Sequence, residues 1–497
     1  MKPVRIKSLI TYAAFLVISI LFIYAFSLWI SPLYKHWYGC DASFFTLVGR
    51  GMLEGKVPYR DFYDLKGPYF FFIQALGQLI KRGHNGLFVL EIIALFTSLV
   101  LIYKTGRLYI SYKKTLAVIA FFLWPYVTML WGGNCLEEFM LPLNMLVLYL
   151  TMKYYGTGCN TADAGDVSTA VKDDTDDKGN IVATITGLCF TITAFSKITA
   201  GAPIAGLILG VMILHLYRRE YRKLLFYILY LILGAVIGLV PLFIYYGING
   251  CILKMLYCTF IFGFKRSSDL SGAFSWSTEA RLSGVTFAIV FFVTHEKKYR
   301  ALLLPMCVIT YLVLHLGDSF IYYFITGMPC LIAALILFLK NYDPLILFKN
   351  LKQSLCFLFL FIFVFNYTHE SMGTVKTFLN REDDSFQEQY YRDSVNMAAL
   401  IPPFDRNSVF SFDIDMQWYE INNIMPCNRY MVNLQYFIAL EPPIEQELFD
   451  FFEKTPPKWM ICSNTLGDYL PQMNEIVNEK YDCLYSTDVG LVYLLRD

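Results

Sequence analysis

Apolar stretches separated by short polar segments make up most of the first 368 residues. The first stretch, 8–30, follows the basic residues Lys2, Arg5 and Lys7. It is longer than the apolar region of a cleavable signal peptide, which is about 7–15 residues, and lacks a small-x-small cleavage site. We predict a retained first span with the N-terminus in the cytoplasm.

Further apolar stretches recur at lengths close to the roughly 20 residues that cross a bilayer as a helix. They lie near residues 87–103, 115–131, 136–152, 181–196, 199–216, 224–246, 280–294, 301–317, 320–339 and 354–368. With the first stretch, they predict a polytopic α-helical membrane protein of about 11 transmembrane helices. Two interpretations stay open around Lys197. A pair of short or re-entrant helices fits the pattern, whereas a single long span would invert everything after it.

The basic residues between these stretches are unevenly distributed. The connections that the count places inside, such as 104–114 and 218–223, contain several Lys and Arg, whereas the short outside connections 132–135 and 318–319 contain none. Cytoplasmic loops of membrane proteins carry an excess of Lys and Arg. An odd number of spans then puts the C-terminal end outside the cytoplasm, on the same face as the long first loop, 31–86.

A polar segment, 153–180, interrupts the apolar stretches. It is rich in Gly, Thr, Ala and Asp, and four of its aspartates lie within 173–177. Low hydrophobicity and dense charge are typical of chain that buries no core. We predict a flexible cytoplasmic loop.

The pattern changes to short alternating runs after residue 368. Strand-like runs at 409–412, 459–462 and 491–495 alternate with more helical stretches at 384–400 and 443–454. The sequence therefore predicts a transmembrane domain, residues 1 to 368, followed by a small extracytoplasmic α/β domain, residues 369 to 497.

Composition supports this division of the chain. The 497 residues are 56% hydrophobic and 16% charged, whereas soluble domains contain about 25% charged residues, so a soluble enzyme is excluded. The first 368 residues carry 32 Lys and Arg against 19 Asp and Glu, and the remainder carries 9 against 21. The basic residues are scattered, which argues against nucleic acid as a partner. The twelve cysteines show no spacing suited to a structural zinc.

Side chains that could act in catalysis or bind a ligand are concentrated in the first loop. Asp41 is followed by a Gly-x-x-Pro-Tyr-Arg-Asp run at 55–61 and an Asp-x-Lys-Gly-Pro run at 64–68. A partly desolvated carboxylate at a membrane boundary has a raised pKa and can serve as a base, and nearby cations can hold a phosphate. The glycines and prolines permit tight turns around a ligand.

On these residues the chain resembles the C-type superfamily of membrane glycosyltransferases, close to its bacterial protein-mannosyltransferase-like and lipid A arabinosyltransferase-like branch. The Gly-Gly-Asn-Cys-Leu-Glu-Glu run at 132–138 and Lys197 between two short helices support the resemblance. It implies an enzyme that transfers a sugar from a polyprenyl-phosphate donor to an acceptor hydroxyl at the extracytoplasmic membrane face, with inversion.

The resemblance also implies roles for individual residues. Asp41 would be the general base, with Asp64 next in line. Relatives often carry a His-Tyr pair where this sequence has Tyr322 and Tyr323, and a tyrosine there donates a hydrogen bond but carries no positive charge. The residues implied to bind the donor phosphate are Lys66, Arg60, Lys197 and Tyr322. Those implied to line the cavity or position the acceptor are Asp61, Glu137 and Glu138.

Several alternatives stay open at this point. Asp41 could simply cap a helix, Lys66 could extend to the membrane surface, and Arg60 could form a surface ion pair with Asp61 or Asp64. A transporter or flippase of lipid-linked sugars and an oligosaccharide polymerase or ligase are alternative functions. The expected partners are the polyprenyl-phosphate-linked donor, a glycan, lipid or protein acceptor, and the lipids of the cell membrane. No cofactor is required, although the loop carboxylates would suit a divalent cation.

Overall fold

The computed structural model describes residues 3–156, 171–267, 276–316, 320–341, 351–381, 385–412, 414–431, 434–463 and 471–496. Most of this chain is helical. The helices up to the middle of the chain are α1 Pro3–Phe26, α2 Cys40–Leu53, α3 Pro68–Ile80, α4 His84–Arg107, α5 Tyr112–Met129, α6 Leu136–Thr151, α7 Val171–Ala194, α8 Ala202–Tyr217, α9 Tyr221–Ile248, α10 Ile252–Leu256 and α11 Gly263–Ser267. The later helices are α12 Trp276–Thr294, α13 Lys297–Leu314, α14 Met328–Asn341, α15 Leu351–Leu379, α16 Ser385–Ala399, α17 Gln417–Ile421, α18 Leu434–Leu440, α19 Pro443–Lys454 and α20 Pro471–Lys480.

Each apolar stretch predicted as a span coincides with a helix of this set. Within the part of the chain that the structure describes, six helical segments are long and apolar enough to cross a membrane by length and composition. The polytopic helical fold is therefore confirmed, and the full number of spans stays a prediction. The last of these segments, α15, continues through residue 368, where the sequence pattern suggested a domain boundary.

The chain around Lys197 forms two helices rather than one long span. Helix α7 ends at Ala194, and a 3₁₀ turn, Ile198–Gly201, leads into α8. Part of the flexible loop predicted at 153–180, residues 157–170, lies outside the described residues. Its end is helical, because α7 begins at Val171.

The first loop, 31–86, is not irregular but contains the short helices α2 and α3. Pro68 occupies the first turn of α3, a position where the missing N–H of proline costs no hydrogen bond. Nearly every residue of α2 from Ala42 to Gly51 is buried. The loop is thus a packed element that can hold side chains in fixed positions.

The C-terminal part of the chain forms a four-stranded mixed sheet. Its strands are β1 Val409–Phe412, β2 Trp459–Cys462, β3 Tyr481–Ser486 and β4 Leu491–Leu495, in the order β1-β2-β4-β3. β1 and β2 are parallel, and the other neighbours are antiparallel. β3 was not among the strands predicted from the sequence. It is an edge strand in which every residue after Tyr481 is exposed, and Asp482 and Ser486 interrupt its apolar residues.

The first loop and the sheet domain contact each other directly. The Arg50 guanidinium donates a 2.8 Å hydrogen bond to the Ile424 carbonyl, and the Tyr63 amide donates a 3.0 Å bond to the Arg429 carbonyl. Apolar side chains of both segments share one core, in which Phe44 of α2 and Trp418 of α17 are buried. The two segments therefore lie on one side of the helical bundle.

Candidate active site

Helix α2 holds Asp41 at the edge of a cavity of about 260 Å3. The helix begins at Cys40 after an extended Gly39, so that Asp41 lies in its first turn, where a carboxylate favours the helix dipole. The same cavity is lined by Lys66, Glu137 and Tyr322. The structure thus brings together four residues that the sequence singled out and that are separated by up to 281 positions.

Aromatic and polar side chains complete the walls of this cavity. Trp29 and Trp131 line it beside Asn134. The Trp131 side chain is half exposed, with a relative accessibility of 51%, as expected for a residue at the mouth of the cavity. Flat aromatic faces beside carboxylates and a lysine form a surface that can contact both a sugar ring and its hydroxyl groups.

The position of Lys66 follows from the Gly-Pro pair after it. The Gly67 amide donates a 2.7 Å hydrogen bond to the Ser196 carbonyl. A side chain at Gly67 would meet the Phe195 carbonyl oxygen at 2.0 Å, so only glycine permits this approach. The Lys66 segment is therefore fastened to the turn that carries Lys197.

Lys197 pairs with Glu137 at this junction. The lysine Nζ donates a 2.7 Å hydrogen bond to Glu137 Oε1 and lies 3.3 Å from the centre of the Tyr323 ring. Both side chains of the ion pair are largely buried, with relative accessibilities of 14% and 2%. Lys197 and Glu137 also line a second, smaller cavity of about 60 Å3 that is otherwise mostly apolar and includes Leu65 and Leu314. Glu137 lines both cavities.

Asp64, two residues before Lys66, is buried, with only 5% of its surface exposed. Burial raises the pKa of the Asp64 carboxyl group, and the Lys66 ammonium opposes that shift. Asp64 is not among the residues that line the 260 Å3 cavity. Asp64 is thus a buried counter-charge to Lys66.

Arg60 and Asp61 lie apart from both cavities. They form an exposed ion pair at 2.8 Å, and Asp61 Oδ2 accepts a 2.7 Å hydrogen bond from the Val57 amide. Asp61 therefore closes the turn of the 55–61 run. In the same turn Tyr59 adopts a left-handed φ of 70° and donates a 2.7 Å hydrogen bond to the Lys66 carbonyl. This run supports the cavity rather than lining it.

Glu138 points away from the cavity into a buried network that sequence reasoning missed. Its carboxylate accepts a 3.1 Å hydrogen bond from the Cys135 amide, which caps α6. Beside it lies Glu91 of α4, whose two oxygens accept hydrogen bonds from the Asn134 amide and, at 2.8 Å, from the Ser27 hydroxyl. Glu91 could have been recognised from the sequence as a single glutamate inside the apolar stretch 87–103. Ionisable groups within membrane spans are costly and rarely without a role.

This network supports a loop with an unusual backbone. Four successive residues, 131–134, have φ angles of 50°, 96°, 95° and 56°. Left-handed conformations are costly for Trp and Asn and persist only where the surroundings enforce them. Here the Asn134 side chain also donates to the Ala42 carbonyl at 3.3 Å, which joins the loop to the Asp41 helix.

Within the described ranges, no group of three or more His, Cys, Asp or Glu side chains could hold a metal ion. Positive charge in the cavities comes from Lys66 and Lys197. We therefore derive no step through a divalent cation.

Solved structures share this architecture over almost the whole chain. ArnT from Cupriavidus metallidurans bound to undecaprenyl phosphate matches with a TM-score of 0.59 and 13% identity, covering 97% of this chain and 98% of that chain. The apo state of the same protein matches with a TM-score of 0.60 and 11% identity, covering 98% of each. The archaeal oligosaccharyltransferase AglB from Archaeoglobus fulgidus, in complex with an inhibitory peptide and a dolichol-phosphate, matches with a TM-score of 0.50 and 11% identity, covering 98% of this chain and 74% of that one.

This chain has the fold of a C-type membrane glycosyltransferase. The resemblance carried by the first-loop residues is thus confirmed at the level of the fold. No protein-family model and no curated protein matches the sequence. In this C-type fold, Asp41 and Lys66 belong to the packed first loop, and Lys197 and Tyr322 reach the same region from later in the chain.

Proposed function

We propose that this protein transfers a sugar from a polyprenyl-phosphate donor to an acceptor hydroxyl at the extracytoplasmic face of the cell membrane. The observation that carries the proposal is the shared cavity of Asp41 and Lys66. A carboxylate that can accept a proton and a cation that can hold a phosphate are the two groups that such a transfer needs. The similarity to ArnT bound to undecaprenyl phosphate supports the donor class.

Asp41 acts as the general base in this mechanism. Its carboxylate accepts the proton of the acceptor hydroxyl while the hydroxyl oxygen attacks the anomeric carbon from the side opposite the phosphate. The bond between the anomeric carbon and the phosphate oxygen breaks, and its electron pair leaves with the lipid phosphate. A single displacement of this kind inverts the configuration at the anomeric carbon.

Lys66 and Lys197 stabilise the leaving phosphate. Lys66 lines the cavity beside Asp41, and Lys197 lines the adjoining apolar cavity. A prenyl chain would occupy the apolar side, next to Leu314, while its phosphate faces the lysines. Tyr322 donates a hydrogen bond to donor or acceptor from the opposite wall. Asp64 orients Lys66 by charge, and Arg60 and Asp61 contribute only to the turn.

Transport of lipid-linked sugars is the alternative from another class. A transporter would use ionisable groups within its spans to bind ions or substrate. Glu91 and Glu138 are such groups, but both accept hydrogen bonds from backbone amides of the 134–135 turn. Because these hydrogen bonds already occupy both carboxylates, the two glutamates hold the loop. This favours transfer over transport.

The test of the proposal is donor turnover. The full chain in lipid nanodiscs is given a panel of undecaprenyl-phosphate-linked pentoses and hexoses together with glycan and lipid acceptors that carry free hydroxyl groups. Release of undecaprenyl phosphate is measured. The wild type should release it from at least one donor, and Asp41→Asn should not. Glu54→Gln, which changes an exposed carboxylate of the same loop that lines neither cavity, is the matched control. No release from any donor, or equal release by Asp41→Asn, would contradict the proposal.

A further inference from the structure

A separate cleft of about 430 Å3 lies between the sheet domain and the membrane domain. One wall is formed by Tyr59 and Tyr63 of the first loop and by the helical segment that follows α9. The other wall is formed by Arg429, Tyr430 and Glu447 of the sheet domain. Its volume falls within the range of about 300–1,000 Å3 that is typical of small-molecule sites.

The polar groups of the cleft form two organised networks. Tyr430 donates a 2.6 Å hydrogen bond to Glu447, which also pairs with Arg429, and the Arg429 guanidinium lies 4.6 Å from the centre of the Tyr430 ring. Tyr257, on the wall formed by the membrane domain, donates a hydrogen bond to Glu441 of the sheet domain, so this contact joins the two walls. The side chains are therefore held in place before any ligand binds, which lowers the entropic cost of binding.

Charge balance in the cleft distinguishes between ligand classes. The lining contains two cations, Lys254 and Arg429, and two carboxylates, Glu441 and Glu447. Glu447 pairs with Arg429, and Glu441 pairs with Lys265, which lies outside the lining. An anion would therefore meet two carboxylates, each already paired with a cation. A neutral polyhydroxyl compound needs acceptors, donors and flat apolar faces together, and carboxylates, cations and tyrosine rings supply all three.

The backbone of the wall is itself unusual. Residues Tyr257–Phe262 form a π-helical turn, a rare geometry that is frequent at functional sites. The turn directs Tyr257 and Cys258 to the cleft, and Thr259 to the cavity that contains Lys197. Thr259 donates a 3.4 Å hydrogen bond to the Tyr59 hydroxyl, which in turn donates to the Lys66 carbonyl. The cleft and the cavity that contains Lys197 thus share a wall one segment thick.

We propose that this cleft binds neutral sugar residues of a glycan acceptor, remote from the hydroxyl that reacts. The proposal rests on the proposed function and deepens it, because it selects a glycan from the glycan, lipid and protein acceptors. Asp41 is not among the residues that line the cleft, so the cleft holds the part of the acceptor that does not react. Binding energy from such remote groups positions the reacting hydroxyl.

The experiment measures sugar binding to the full chain in detergent, without donor. The probes are maltose, cellobiose, lactose and diacetylchitobiose, with glucose 6-phosphate and galacturonic acid as anionic counterparts, titrated by saturation-transfer NMR. At least one neutral disaccharide should bind saturably and better than the anionic sugars. Tyr257→Ala and Glu447→Gln should each weaken that binding by roughly 10-fold or more.

The matched control is Glu388→Gln, which breaks an exposed ion pair with Arg392 on α16 and should leave binding unchanged. Retained undecaprenyl phosphate binding in the cleft variants shows that they are folded and that the donor site is intact. Failure of the neutral disaccharides to bind, equal binding by the cleft variants, or preference for the anionic sugars would overturn the proposal. Failure of the proposed function itself would show separately, as absence of donor turnover.

Discussion

Lys197 and Glu137 form a buried ion pair at the junction of two cavities, with a distance of 2.7 Å between Nζ and Oε1. Glu137 lies in the first turn of α6 and Lys197 precedes the 3₁₀ turn before α8. The pair neutralises each charge at a depth where an isolated charge is costly. It also holds the 195–197 turn, on which the Lys66 segment rests.

The first prediction concerns this ion pair. Glu137→Gln and Lys197→Met should each destabilise the protein by about 3–5 kcal/mol, because either change leaves one buried charge unpaired. The double variant should lose less than the sum of the two. Thermal or denaturant unfolding in detergent measures the three effects. Arg392→Met, which breaks an exposed pair, is the control and should cost at most about 1 kcal/mol. Strictly additive losses would argue against a direct interaction.

The second prediction concerns the base. Asp41→Asn keeps the size and a hydrogen-bonding oxygen of the side chain but removes the proton acceptor. Transfer should fall by about 10²–10⁴-fold while expression and melting temperature stay near those of the wild type. The initial rate of sugar transfer is the measurement. If activity remains within about threefold of wild type, the proton is accepted by another group, and Asp64 would be tested next.

The third prediction concerns the phosphate. Lys66→Ala should weaken binding of undecaprenyl phosphate by roughly 10- to 150-fold, the value of a charge-assisted hydrogen bond, and Lys66→Arg should keep part of it. Arg60→Gln is the matched control, since it removes an exposed cation of the same loop that lies outside both cavities. Binding is measured without acceptor. If Lys66→Ala binds undecaprenyl phosphate as tightly as the wild type, phosphate binding would be assigned to Lys197 instead.

The fourth prediction concerns the left-handed loop at 131–134. A side chain at Gly133 would meet the Ser27 hydroxyl oxygen at 2.0 Å, whereas one at Gly55 would meet nothing within 4 Å. Both glycines have similar positive φ angles, 95° and 87°. Gly55→Ala should therefore cost only backbone strain, about 1–2 kcal/mol, and Gly133→Ala about 1–3 kcal/mol more from overpacking. If Gly133→Ala and Gly55→Ala have the same unfolding midpoint, the 131–134 loop can shift to accommodate the added methyl group without a loss of stability.

The fifth prediction concerns pH. Burial raises the pKa of Glu420 to about 8, and hydrogen bonding from Ser43 and the charge of Arg50 oppose the shift. A carboxyl group whose pKa is raised by folding stabilises the folded state while protonated, and that stability is lost as the pH rises from its usual pKa through the raised one. The melting temperature should therefore fall between about pH 5 and pH 9.

The Glu420→Gln variant tests the source of that fall. Glutamine stays neutral at every pH, so the variant should show a weaker fall and exceed the wild type at the alkaline end. Glu388→Gln, an exposed glutamate of the same domain, should leave the pH profile unchanged. A profile of Glu420→Gln parallel to that of the wild type would assign the pH dependence to other groups.

The sequence by itself determined the helical membrane character, the positions of the apolar helices and most of the candidate cavity. Apolar stretches of span length have few other stable conformations, because backbone groups in lipid must be paired within the helix. Asp41, Lys66 and Glu137 could be selected from the runs that carry the family resemblance. Lys197 could be selected because a charge between apolar helices is costly and therefore rarely incidental. The C-terminal strands β1, β2 and β4 followed from their short apolar runs.

Only the tertiary structure decided which of these residues meet. Arg60 and Asp61 are the same kinds of charged residue as the others in the loop. The turn that Asp61 closes nevertheless directs both toward solvent. Glu91 and Asn134 are 43 positions apart and come together through the packing of α4 against the 131–134 loop. The cleft of Tyr257, Arg429 and Glu447 exists because the sheet domain packs on the first loop. The local sequence pattern indicates which charged residues will be costly to bury. The partner of each such residue depends on contacts between distant segments of the chain.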